Sequence, residues 1–154
     1  MNATSTEQAA NGMMTPQGLE QLFLGAFYKV SWSENTLMVD TERFNVVVGC
    51  GGDYVCFRNY VIVDATLDDE TLRELANTQN LQAAMVRVNV LSEGRFCLDY
   101  DLLIDEQTDA RRIMKNFRRF EALSGQVLER CRQAATERTS YSARVIETAK
   151  SVCH

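Results

Sequence analysis

Apolar residues recur at helical spacing soon after a small, polar segment, residues 1–14, that we expect to be disordered. Thr15 and Pro16 stand where an N-cap and a first helical residue are expected. Five residues then follow the i, i+3, i+4, i+7 and i+8 positions of one helix face: Leu19, Leu22, Phe23, Ala26 and Phe27. The pattern predicts an amphipathic helix over residues 15–28.

Alternation of apolar and polar residues next predicts strands. A short strand is expected at Leu37–Val39, and the run VVVGCGGDYVCF, residues 46–57, predicts a hairpin. Gly51 and Gly52 suit the centre of its turn because glycine adopts positive φ without strain. The register predicted from that turn pairs Val48 with Val55, Val46 with Phe57 and Phe44 with Asn59. We also expect a bulge near Asn59.

A second hairpin is predicted over MVRVNVLSEGRFCLDYDLLID, where apolar residues alternate on both sides of a loop at residues 92–94. Its predicted apolar pairs are Val90 with Phe96, Val88 with Leu98 and Val86 with Tyr100. Arg87 then faces Asp99 on the polar side.

Two further helices are expected. Thr66 is the predicted N-cap of a middle helix, which carries Leu72 and Leu75. A long helix should start after Thr108, and residues 139–154 are expected to form a tail or a short helix. The buried stripe predicted for the long helix includes Ile113, Phe117, Phe120, Val127, Leu128 and Cys131. The order α-β-β-β-α-β-β-α predicts one α+β domain over 15–138, with helices on one face of an antiparallel sheet.

Composition is that of a soluble domain, with 154 residues, 45% hydrophobic and 24% charged. The apolar runs are too short to cross a membrane, and the first twelve residues lack the features of a secretory signal. We therefore expect a cytoplasmic protein with no membrane partner.

Charge is unevenly distributed. Residues 1–109 contain 6 Lys/Arg and 17 Asp/Glu, whereas residues 110–154 contain 10 and 4. The basic segment could contact RNA, or it could be neutralised by the acidic part of the chain or by a second copy. Because the net charge is −5, nucleic acid is the less favoured partner.

Candidate chemistry is sparse. The one histidine is His154 at the end of the chain, so no internal imidazole can serve a catalytic triad. Five cysteines lie without a CxxC pair: Cys50, Cys56, Cys97, Cys131 and Cys153. We predict no enzyme activity, no catalytic residue, no metal and no cofactor. The alternative is a redox sensor or thiol-dependent enzyme that uses Cys50 at an exposed hairpin tip.

Three segments carry a family resemblance: RFNVVVGCGGDYVCFRNYVIVD, ELANTQN leading into MVRVNV, and GRFCLDYDLLID before a helix with Phe117 and Phe120. With the order of elements, they make the chain resemble the YbjN-like family, labelled bacterial sensory transduction regulators, whose fold is that of the type III secretion chaperones. The resemblance covers about residues 16–130.

This resemblance implies a chaperone-like homodimer that holds a protein client. By analogy, Leu22, Phe23 and Phe27 would bind the client, and Leu72 and Leu75 would lie near the dimer seam. Client identity and pathway are left open.

Overall fold

A computed structural model describes residues 15–105 and 107–152, with side chains as far as residue 140. The predicted disordered segment, residues 1–14, and the pair Cys153 and His154 lie outside the described residues. The helices and strands have these bounds: α1 Pro16–Gly25, β1 Lys29–Ser33, β2 Thr36–Asp40, β3 Asn45–Gly51, β4 Tyr54–Ile62, α2 Asp69–Gln82, β5 Arg87–Val90, β6 Arg95–Leu103 and α3 Ala110–Val152.

The strands form one antiparallel sheet in the order β1-β2-β3-β4-β6-β5. This confirms the α+β class. The predicted order was wrong in one element, because four strands precede α2 rather than three. The missed strand is β1, in which Val30 and Trp32 alternate with polar residues directly after the first helix. It places an additional strand at one edge of the sheet.

The β3–β4 hairpin forms with a register two residues from the predicted one. Gly51 pairs with Tyr54, so the turn contains Gly52 and Asp53 rather than Gly51 and Gly52. Gly52 takes the positive φ of 49° that the turn needs. Val48 therefore pairs with Phe57 and not with Val55. Because side chains alternate with a period of two, a shift of two residues leaves each on its predicted face.

Val46 accordingly faces Asn59 rather than Phe57. The bulge expected at Asn59 does not occur, since all nine residues of β4 pair in step with β6. Asn59 is instead a buried residue of a regular central strand.

The second hairpin was predicted with its correct register. Val88 pairs with Leu98 and Val90 with Phe96. Arg87 Nε lies 3.0 Å from Asp99 Oδ1, as the polar side of the pattern indicated, and the Arg87 guanidinium also bonds Asp101.

The N-cap of helix α2 lies two residues after the predicted one. Asp68 is the N-cap, and its carboxylate accepts a hydrogen bond of 2.8 Å from the Thr71 N–H. Thr66 instead bonds the Asp64 carboxylate in the preceding turn. Aspartate is as good an N-cap as threonine, so spacing alone did not separate the two.

Helix α3 starts close to the predicted position. Asp109 Oδ1 accepts a hydrogen bond of 2.7 Å from the Arg112 N–H ahead of the first turn. The helix then runs for 43 residues to Val152, without a break near residue 139. At 1.5 Å per residue it is about 65 Å long. The side chains of the expected terminal helix, residues 141–152, lie outside the description.

The helices cover one face of the sheet, which we call the inner face. Phe57 of β4 lies there and contacts two rings of α3, with centroids 5.4 Å from Phe117 and 5.9 Å from Phe120. Phe23 of α1 joins the same aromatic cluster, 4.7 Å from Phe117. Among the described residues, none of the helices is long and apolar enough to cross a membrane.

Candidate partner-binding edge of the sheet

Helix α1 ends in a Schellman motif that involves a phenylalanine. The Tyr28 N–H donates to the Phe23 carbonyl at 3.0 Å, and the Phe27 N–H donates to the Leu24 carbonyl at 3.0 Å. The rings of Phe23 and Tyr28 add the apolar contact that usually accompanies this motif. Phe27 therefore occupies the position where helices most often place glycine.

Phe27 adopts this position against both its backbone and its side-chain preferences. Its φ is +66°, a left-handed conformation that is rare for a bulky residue. Its side chain is 98% exposed, so no packing within the described chain compensates for the strain. Strained backbone that contributes nothing to the core is typical of residues selected for binding.

The three predicted client-binding residues have different environments. Phe23 is 0% exposed and packs in the aromatic cluster, so a partner cannot reach it while the domain is folded. Leu22 is partly buried against the core. Phe27 is fully accessible, although the helical pattern had suggested that its side chain would share a face with Phe23.

Directly after Phe27, the chain enters β1, the outer strand of the sheet. β1 pairs with β2 on one side only, and none of the described strands lies on its other side. In an antiparallel ladder, every second residue of such a strand turns its N–H and C=O away from its neighbour. β1 therefore offers backbone donors and acceptors to an additional strand.

Two further apolar side chains, one on α1 and one on β1, are exposed. Leu24 of α1 is 46% exposed, and Trp32 of β1 is 40% exposed. The indole N–H of Trp32 donates to Glu20 Oε1 at 2.8 Å, which ties the strand to α1. Sequence reasoning missed both residues, although the alternation of Val30 and Trp32 was a visible strand signal.

The opposite edge of the sheet is closed. Asn80 of α2 donates from Nδ2 to the Val88 carbonyl at 2.9 Å and accepts from the Val88 N–H at 2.7 Å. Its side-chain amide thus occupies the N–H and C=O of Val88, in the middle of β5, which would otherwise be open to another strand. The two edges of the sheet differ in accessibility, and β1 is the open one.

Leu72 and Leu75, the predicted dimer-seam residues, face the interior. Leu72 is 0% exposed and Leu75 is 4% exposed, and both belong to the hydrophobic core. Neither is accessible to a second copy in the folded chain.

Burial makes the thiols of Cys50 and Cys131 less reactive rather than more reactive. Cys50 does not lie at the hairpin tip; it sits in β3, half-buried and opposite Val55. Burial, with a smaller contribution from Cys56, raises its pKa above the ordinary value. Burial likewise raises the pKa of Cys131 to about 11. A raised pKa favours the neutral thiol, which is the poorer nucleophile and the poorer metal ligand.

The described part of the chain contains no group of three or more His, Cys, Asp or Glu residues positioned to hold a metal ion. The acidic residues Asp99 and Asp101 are engaged by Arg87 instead. What the geometry does define is an open edge strand, β1, next to an exposed aromatic residue with a strained backbone, Phe27.

The fold belongs to the class of two-layer α+β domains with helices on one face of an antiparallel sheet. A solved structure with this fold is that of YbjN, "a putative transcription regulator from E. coli". The two share 10% sequence identity with a TM-score of 0.61, over 80% of this chain and 93% of YbjN. No protein-family model and no curated protein matches the sequence. The resemblance to YbjN is therefore confirmed at the level of the fold.

Proposed function

We propose that this chain is a non-enzymatic regulatory module that holds an extended segment of a partner polypeptide along β1. The observation that carries this proposal is the contrast between the two sheet edges. Asn80 closes the β5 edge, whereas β1 is unpaired and lies directly beside the exposed ring of Phe27.

Strand addition would supply affinity through main-chain hydrogen bonds, and neighbouring side chains would supply specificity. The side chains of Lys29, Ser31 and Ser33 are exposed and polar, so the strand alone is a weak template for aggregation. Apolar contact would then come from the exposed side chains of Phe27, Leu24 and Trp32. Burying one phenylalanine side chain is worth about 1.5–3 kcal/mol.

Regulation by protein contact agrees with the description of YbjN as a putative transcription regulator. Direct DNA contact is the less favoured route for this chain, because its net charge of −5 repels phosphate. The chaperone-like character and cytoplasmic location predicted from the sequence stay part of the proposal.

A homodimer also remains part of the proposal, but its interface cannot be formed by the residues predicted from the sequence. Since Leu72 and Leu75 are buried, a second copy would have to use exposed apolar residues. The outer face of the sheet offers Tyr60, Ile62 and Leu103, which are 55%, 58% and 68% exposed. Light scattering at several protein concentrations tests this, and a monomer mass throughout would remove the dimer from the account.

A thiol-based function for Cys50 is disfavoured by its burial and raised pKa. Thiol labelling near neutral pH distinguishes the two functions. Slow labelling of Cys50 agrees with protein binding, whereas labelling faster than that of a free thiol would revive the redox alternative.

Capture experiments with matched variants test the proposal. Tagged wild-type protein, Phe27→Asp and Leu81→Asp are used as baits in native extract. Both residues are exposed and apolar, and Leu81 of α2 belongs to neither the β1 edge nor the proposed dimer surface. We expect a defined partner to be retained by the wild type and by Leu81→Asp and lost by Phe27→Asp, with all three baits folded. Retention of the same partner by Phe27→Asp would contradict the proposed site.

A further inference from the structure

A cleft of about 860 Å³ lies between α3, the end of β4 and the turn that joins β2 to β3. Its polar lining includes three arginines, Arg43, Arg130 and Arg132, and one glutamate, Glu129. No residue of α1 or β1 lines it, so the cleft is separate from the proposed partner-binding edge.

The arginines reach this cleft from both walls, and the local structure holds two of them there. Thr41 Oγ1 accepts hydrogen bonds from the N–H groups of Arg43 and Phe44, which fixes the β2–β3 turn. Arg132 donates from Nη2 to the Ile62 carbonyl at 3.0 Å, which joins α3 to the end of β4.

Gly125 of α3 leaves room for the Arg43 side chain in the cleft. A methyl group added at this position would lie 2.9 Å from Arg43 Nη1, closer than a normal contact. The absence of a side chain at Gly125 therefore lets the Arg43 guanidinium lie against α3.

Arg130 provides an independent indication of a ligand. Its Nε is buried but has no hydrogen-bond partner among the described residues. Buried donors in folded proteins are nearly always paired, and a buried guanidinium nitrogen without a partner is costly. Arg130 also lines the cleft, so a rotation of its guanidinium would let an anion bound there supply the missing acceptor.

The charge of the lining indicates the kind of anion. Three arginines and one glutamate carry a net charge of +2. A phosphate monoester carries about −1.5 to −2 at pH 7, and arginine matches its geometry with paired N–H donors. Phe44, Val61 and Leu128 add an apolar wall for the rest of a ligand. We infer that the cleft binds a small phosphorylated molecule with an apolar or aromatic portion.

Calorimetric titration of the full chain with phenyl phosphate tests this inference, with benzoate as the carboxylate comparison. We expect saturable binding of phenyl phosphate, weaker binding of benzoate, and a loss of ~10-fold or more in affinity for Arg130→Met. Arg111→Met is the matched control, because this exposed arginine lies on the same helix about 28 Å away. It should bind as the wild type does.

Arg43→Met is a second variant for the case in which Arg130→Met fails to fold, since Arg43 is exposed. It should also weaken binding while its thermal unfolding stays near that of the wild type. Absence of binding up to about 10 mM phenyl phosphate, or equal affinity in all variants, would overturn the inference. So would tighter binding of benzoate. None of these results bears on the β1 edge, which has its own test.

Discussion

The side-chain amide of Asn80 forms two hydrogen bonds with the backbone of Val88, 2.9 Å to its carbonyl and 2.7 Å from its N–H. A helix residue thereby takes the place of a neighbouring strand at β5. In natural proteins, a helix or loop often covers an edge strand and so prevents it from pairing with another chain. Among the described residues, β5 is covered in this way and β1 is not. The sheet therefore has one open edge.

Replacing Asn80 with leucine should expose the β5 edge. The loss of two neutral hydrogen bonds is expected to lower the free energy of unfolding by about 1–2 kcal/mol. Hydrogen exchange of the Val88 amide should also become faster, because its acceptor is gone. The control is Asn77→Leu, an exposed position one turn earlier on the same helix. Unchanged exchange at Val88 would show that the Asn80 bonds do not protect this edge.

The strained backbone of Phe27 is expected to lower the free energy of unfolding of the free protein. Phe27→Gly should raise the free energy of unfolding by about 0.5–1 kcal/mol, because glycine adopts the positive φ of 66° without strain. Phe27→Ala removes the ring but keeps the strained backbone, so its stability should stay near that of the wild type. Urea unfolding of the three proteins makes the comparison. Equal stability of the glycine and alanine variants would contradict the strain.

Phe23, in contrast, is expected to be structural. Phe23→Ala should lower the free energy of unfolding by about 3–5 kcal/mol, because it leaves a cavity beside Tyr28 and Phe117. Leu24→Ala, at the exposed neighbouring position, should change it by less than about 0.5 kcal/mol. If Phe23→Ala and Leu24→Ala were equally mild in urea unfolding, the aromatic cluster would not be the centre of the core.

Stability should fall at high pH through Cys131. Its pKa is raised to about 11 by burial, so the folded state keeps the thiol proton longer than the unfolded state, whose pKa is near 9.0. The contribution of Cys131 is therefore present below pH 9 and is lost as pH rises toward 11, in total about 2–3 kcal/mol.

Urea unfolding of the wild type and Cys131→Ala across this pH range measures that contribution. The variant should be less stable at neutral pH but should lose less stability between pH 9 and 11. Cys50 and Cys97 titrate in both proteins and so cancel in the comparison. If the stabilities of the two proteins changed in parallel with pH, the pKa of Cys131 would be no higher in the folded state than in the unfolded state.

The strand register was predicted correctly where both a polar pair and the apolar pairs specified it. In the second hairpin, Arg87 and Asp99 specify the same register as Val88 and Leu98, and that register is found. In the first hairpin, turns centred on Gly51 and Gly52 or on Gly52 and Asp53 leave the same side chains on the same face. Alternation could not choose between registers that differ by two residues.

The candidate site was predicted only in part, for a similar reason. Periodicity extended the first helix to residue 28 and placed Phe27 with Phe23, but the helix ends at Gly25. The Schellman motif then turns the Phe27 side chain out to solvent. No local sequence pattern predicts this helix end, because the left-handed position of a Schellman motif is normally recognised by a glycine. The closure of β5 by Asn80 depends on tertiary packing and had no sequence signal.

The most direct test of the account is site-specific photo-crosslinking in the native host. A photoreactive phenylalanine analogue is placed at position 27, beside β1, or at position 60 on the outer face of the sheet. Because Tyr60 lies on the proposed dimer surface, crosslinks to a second copy of the chain are set aside. Crosslinks to one other polypeptide from position 27 and not from position 60 are the predicted result. Crosslinks to such a partner from position 60 alone would contradict the proposal that β1 and Phe27 form the binding edge.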